Sequence, residues 1–121
     1  VDIEHIQYSD DLLDIAAKNF SDKEYRRIVE LPERQRTDAF YACWTCKEAY
    51  IKARGVIGMN EFSVSSTAER APRLVVDEVD SQQIGAWSFS LIDIHPRWKA
   101  AMVVHGSSVP VRCWRFADGQ E

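Results

Sequence analysis

No stretch of this chain stays apolar for the ~20 residues that a membrane-spanning helix needs, so a helical membrane anchor is not expected within it. There is no basic segment followed by an apolar run, so no signal peptide is read. The chain does not open on methionine, which leaves room for processing or for a longer parent. Cysteine is scarce, with only Cys43, Cys46 and Cys113. An odd count at wide spacing makes no disulfide framework. The Cys43-x-x-Cys46 pair lies in a helical stretch between aromatics with no second pair, so two small buried side chains are expected rather than a redox or zinc site. Free thiols suit a reducing cytoplasm. Basic residues are also short: 15 Lys and Arg stand against 19 Asp and Glu, a net charge of −4. That argues against a nucleic-acid partner, which wants a basic face. It still allows a small phosphorylated substrate held by a few lysines and a metal.

What is present fits one domain spanning residues 1–121. The chain is 45% hydrophobic and 28% charged, enough for a single core. No repeat, linker or low-complexity tract interrupts it. "VDIEHI" reads as a short strand, with alternating positions on two faces. "YSDDLLDIAAKNF" reads as a helix capped by Ser9 or Asp10, with Leu12, Leu13, Ile15, Ala16 and Phe20 on one side. Ser21 caps a second helix, Glu24 stands at the capping-box position, and Pro32 closes the run. A long helix is expected from Glu33 to Arg54, stopped by Gly55, with a stripe of Ala39, Phe40, Cys43, Trp44, Tyr50 and Ile51. Five short β-rich segments follow: "EFSVSS", "PRLVVDE", "AWSFSLIDI", "KAAMVVHG" and "VPVRCWRF", with a hairpin turn at "DIHPRWK". The tail "ADGQE" reads as frayed. A strand, about three helices and an antiparallel sheet make the fold class α+β.

Charge breaks the long stripe. Phe40, Trp44 and Glu48 follow one another at i, i+4, and Lys52 is the next step. A buried, unpaired carboxylate beside aromatics costs on the order of several kcal/mol. Glu48 therefore calls for either Lys52, one turn away, or a divalent cation. Asp2 and Glu4 point to the same face of their strand. If that face meets the long helix, Asp2, Glu4 and Glu48 converge as hard oxygen donors of the kind Mg²⁺ takes. Lys47 and Lys52 then stand ready as point charges for phosphate. The plainer alternatives are a solvated strand face and an exposed Glu48–Lys52 helix pair, worth only ~0.3–0.5 kcal/mol.

Three stretches together carry a resemblance: "VDIE" (Val1 to Glu4), "FSDKEY" (Phe20 to Tyr25) and "WTCKEAYIKARG" (Trp44 to Gly55). They resemble the second half of the two-half 4′-phosphopantetheinyl transferases that activate peptide synthetases. The likeness runs from Val1 to about His105. It implies that Asp2, Glu4 and Glu48 hold Mg²⁺ on the pyrophosphate of coenzyme A, and that Lys47 and Lys52 contact its phosphates. Glu48 and Lys52 would be the catalytic pair, with Glu48 or a metal-bound water taking the serine proton. The phosphopantetheine arm would move to a serine of an apo acyl or peptidyl carrier protein, releasing 3′,5′-adenosine bisphosphate. Such chemistry needs alignment and charge neutralisation more than covalent help. The resemblance also implies a coenzyme site shared between two halves. Either a further N-terminal half or self-association is then expected to complete it. Other readings of the same residues are a metal-dependent phosphodiesterase or nuclease and a silent half that binds a carrier or partner chain.

Overall fold

The elements follow the order read from the sequence: β1 (Asp2–His5), α1 (Leu12–Asn19), α2 (Asp22–Val29), α3 (Glu33–Arg54), β2 (Phe62–Thr67), β3 (Arg70–Asp77), a short 3₁₀ turn (Ser81–Gln83), β4 (Trp87–His95) and β5 (Trp98–His105). The computed structural model describes residues 1–67 and 70–114. The fold is α+β.

Local chemistry accounts for the element ends. Ser21 and Glu24 form the reciprocal box: the Glu24 N–H donates to Ser21 Oγ at 3.3 Å, and the Ser21 N–H donates to Glu24 Oε1 at 2.9 Å. Gly55 ends α3 at a φ of 97°, a left-handed conformation that favours glycine. The start of α1 is a correction. Asp11, not Ser9 or Asp10, is its N-cap and makes no side-chain cap bond, while Ser9 Oγ accepts the Asp11 N–H at 3.2 Å. The expected strand "VPVRCWRF" is a second correction. Residues 107–114 form no strand, and Pro110 lacks the N–H a ladder would require. Phe116 and the tail "ADGQE" lie outside the described residues.

Two antiparallel sheets result, one ordered β1-β5-β4 and one pairing β2 with β3. Helix α3 packs across them. Its Cys46, Ala49 and Tyr50 share a core with Phe62, Val64, Leu74, Phe89, Ala101 and Val103. A second cluster joins the helices through Leu12, Ala16, Phe20, Ile28 and Phe40, with the Phe40 ring stacked on Trp44 at 5.8 Å.

Register decides which way β1 faces. Asp2 pairs with Ala101 and Glu4 with Lys99, and directly paired residues share a sheet face. Lys99 reaches Asp38 of α3 at 2.7 Å, so this is the face beneath the long helix. The two acids of β1 therefore point inward. Ile3, 51% exposed, points outward beside Ala100.

Candidate active site

Strand β1 runs antiparallel to the second half of α3. At one end Lys52 Nζ donates to Asp2 Oδ1 at 2.7 Å; at the other the Tyr41 hydroxyl donates to the Gln7 carbonyl at 3.1 Å. Tyr41, Thr45, Glu48 and Lys52 are spaced by steps of four, three and four, so they share the helix face turned to the strand. Glu48 lies along that face, between the two anchors. Folding thus brings Asp2, Glu4, Glu48 and Lys52 to one place, although Asp2 and Lys52 are far apart in sequence.

The carboxyl groups of the cluster crowd one another. Asp2 is buried, and its Oδ2 has no hydrogen-bond partner. Burial first, then the neighbouring Asp2 carboxylate, then the Glu48 charge raise the Glu4 carboxyl from its ordinary 4.5 to about 7, while Lys52 pulls it down. The bond to Asp2 holds the Lys52 ammonium above its ordinary value, with Glu48 and Glu4 adding to it and desolvation opposing. The Lys52 side chain remains 55% exposed, at the rim of the cluster. Lys52 is thus tied across to Asp2 rather than closing on Glu48 along the helix. As they stand the acids form no closed shell: among the described residues, no three His, Cys, Asp or Glu side chains are gathered to hold a metal. Yet an orphaned buried carboxylate oxygen beside a second carboxyl, with a third acid near, is a donor set of hard oxygens suited to Mg²⁺.

Lys47 is not part of this cluster, which corrects the expectation that it faces substrate phosphates. It is wholly buried, donating to Glu24 Oε1 at 2.7 Å and to the Phe62 carbonyl at 2.6 Å. Its ammonium lies 4.2 Å from the centroid of the Phe62 ring. Glu24 Oε2 accepts the Val64 N–H at 2.7 Å. Breaking such a buried pair by removing one partner typically costs ~3–5 kcal/mol, so Lys47→Met is expected to unfold or loosen the protein. The sequence carried a signal for the pair: each charge stands on the apolar side of its helix. Glu24 is one turn from the buried Ile28, and Lys47 one turn from the half-buried Cys43.

Of the Cys43-x-x-Cys46 pair, Cys46 is buried and Cys43 half-buried. Both thiols are free, on the core side of α3, and burial raises them, Cys46 to about 12. A separate buried network, missed in the sequence, fixes the end of β3. The Tyr50 hydroxyl donates to Asp77 Oδ2 at 2.7 Å, and the Val79 and Asp80 N–H groups donate to Oδ1.

With this geometry in place, the family follows from comparison. Residues 1–106 match the 4′-phosphopantetheinyl transferase superfamily. The chain belongs to that superfamily. It is 29% identical over 118 residues to the 4′-phosphopantetheinyl transferase HetI of Nostoc sp., a match covering 96% of this chain and 47% of that protein. The chain therefore spans about half the length of this relative. Its fold is similar to the holo-(acyl-carrier-protein) synthase of Bacillus anthracis, solved in complex with CoA (3′,5′-ADP), at a TM-score of 0.68 and 21% identity. That match covers 88% of this chain and 93% of the other. The Thermotoga maritima holo-[acyl-carrier-protein] synthase is similar at a TM-score of 0.67 and 19% identity, covering 88% of this chain and 61% of the other. Within the superfamily, the acids of β1 and α3 and the rim lysine make up the candidate active site. No helix among the described residues is long and apolar enough to cross a membrane.

Proposed function

We propose that this chain carries the acid-bearing half of a Mg²⁺-dependent 4′-phosphopantetheinyl transferase, working in the cytoplasm. Coenzyme A is the donor, and a serine of an apo acyl or peptidyl carrier protein is the acceptor. The observation that carries the reading is the buried, unpartnered Asp2 carboxylate oxygen beside Glu4, with the Glu48 charge close to Glu4, in a chain that matches the superfamily over residues 1–106.

Asp2, Glu4 and Glu48 would hold the Mg²⁺, whose contribution when bound is to neutralise the pyrophosphate of coenzyme A. Lys52, exposed at the rim, contacts the phosphates as a point charge. Glu48 accepts the serine proton as the serine oxygen bonds to the pantetheine-side phosphorus. The phosphoanhydride bond breaks, and 3′,5′-adenosine bisphosphate leaves. Alignment supplies most of the acceleration in such a reaction. The rest of the coenzyme site comes from a second half or from a second copy of this chain.

Metal titration by calorimetry tests the reading. Asp2→Ala and Glu48→Gln are expected to abolish Mg²⁺ binding, while Glu33→Gln, on an exposed turn of α3, leaves it intact. Transfer of labelled phosphopantetheine to an apo carrier should fall by on the order of 10²-fold or more in the same two variants. Equal metal affinity in all three would defeat the assignment.

A further inference from the structure

Glu24 has two roles in the interior. It closes the N-terminal box of α2, and it receives Lys47 of α3 and the Val64 N–H of β2. Lys47 in turn donates to the Phe62 carbonyl. Neither side chain of the pair has any exposure to solvent. One ion pair thus pins α2, α3 and β2 to each other at a single point. The apolar contacts along α3 are non-directional and tolerate small changes of roll. A buried ammonium with two short directed bonds does not.

Glu48 is the next residue on α3 after Lys47. The roll that Lys47 fixes is therefore the roll that aims Glu48 at β1. We infer that Glu24 is a positioning residue: acting through Lys47, it sets the rotation of α3 and so seats Glu48 against Asp2 and Glu4. The inference rests on the reading of those three acids as a divalent-cation site. Neither Glu24 nor Lys47 touches the cation or the substrate in this account. The burial of Lys47 that removes it from the substrate is what gives it this indirect role.

The test uses Glu24→Gln and the double variant Glu24→Gln/Lys47→Met. Glutamine keeps the shape and an acceptor for one of the two backbone N–H groups that Glu24 receives; methionine keeps the aliphatic stem of the lysine. Three measurements are made: thermal melting, Mn²⁺ affinity by calorimetry without coenzyme A, and a crystal structure of the variant. The double variant, in which both charges leave together, is expected to fold and melt cooperatively with a Mn²⁺ affinity at least ~10-fold lower, the usual scale for groups that orient metal ligands, while Glu24→Gln alone leaves Lys47 without its counter-charge and melts lower. The variant structure should show the Glu48 carboxylate displaced from Asp2 and Glu4. Folded variants with unchanged affinity and an undisplaced Glu48 overturn the inference. So does failure of both variants to fold, which would make the pair a stability device only. If the unmodified protein binds no Mn²⁺, the metal reading fails, and the position of Glu48 in the variant decides this inference independently.

Discussion

Glu4 ties the acid cluster to pH. Its carboxyl is raised from 4.5 to about 7, first by burial and then by Asp2. A carboxyl whose folded-state value lies above its unfolded one contributes stability that is fully present below about 4.5 and is lost as pH rises through 7. In the absence of divalent cations, the melting temperature should therefore decline across that window. Asp2→Asn, which removes the main charged neighbour, should flatten the decline. Near pH 7 a cation taken up by Glu4 displaces a proton, so the calorimetric enthalpy of Mg²⁺ binding should vary with the ionisation heat of the buffer. An enthalpy independent of buffer would argue that Glu4 is not a ligand. Residues of this kind were legible in the sequence because each breaks a local rule: two like charges on one strand face, and a carboxylate in an aromatic stripe. The Glu24–Lys47 pair was legible only in part: each charge stands on an apolar helix side, but nothing local links the two. Its members are 23 residues apart, and only tertiary packing sets them tip to tip. Lys47 was misassigned for the same reason, since a lysine beside Glu48 in sequence points to a different side of the helix.

The elements of the helical half were legible because their signals are local. The cap of α2 and the glycine after α3 appear where propensity puts them. Ser21→Ala should cost about 1 kcal/mol in urea denaturation, with further loss if Glu24 shifts once its partner is gone. Within α3, Ala49 is fully buried and shares a core with Ala101 of β5. Two small side chains leave the helix close to the sheet, so Ala49→Leu should destabilise by roughly 1–3 kcal/mol through overpacking. It should also weaken metal binding, because it lifts Glu48 from β1. A melt and a Mg²⁺ titration on the same sample check both effects. The sheet was less legible. Strand identity showed as alternation, but the division into a β2–β3 pair and a β1-β5-β4 sheet depends on long-range pairing that no short window of sequence reveals. Residues 109–114 have strand-like composition but pair with no strand among the described residues, and Pro110 lacks the N–H a ladder would use.

At the scale of the molecule, the outward face of the three-stranded sheet carries Ile3 and Trp98, 51% and 42% exposed. Apolar exposure on this face, which lies across the sheet from the acids, offers an association surface for the second half or copy proposed above. Transfer activity per chain should then rise with protein concentration, in step with association measured by sedimentation. Ile3→Lys should abolish that rise while leaving the fold intact. Full turnover by a monomer, independent of concentration, would show that no second half is needed.

The pairing of Asp2 with Ala101 also has a consequence for how the molecule comes to be made. The acids of β1 lie about a hundred residues from the strand that holds them in place, close to the longest separation available in these 121 residues. Contacts of that span carry a large closure entropy and tend to form late in folding. Helices α1 to α3 can assemble while β5 is still unpaired, but Asp2 and Glu4 cannot reach Glu48 until β5 offers them an edge. In a refolding experiment, helical circular dichroism should therefore recover before the Mg²⁺-dependent signal. The catalytic apparatus would be the last part of the protein to mature, and a chain released before β5 is complete would have helices and a partial core but no working chemistry.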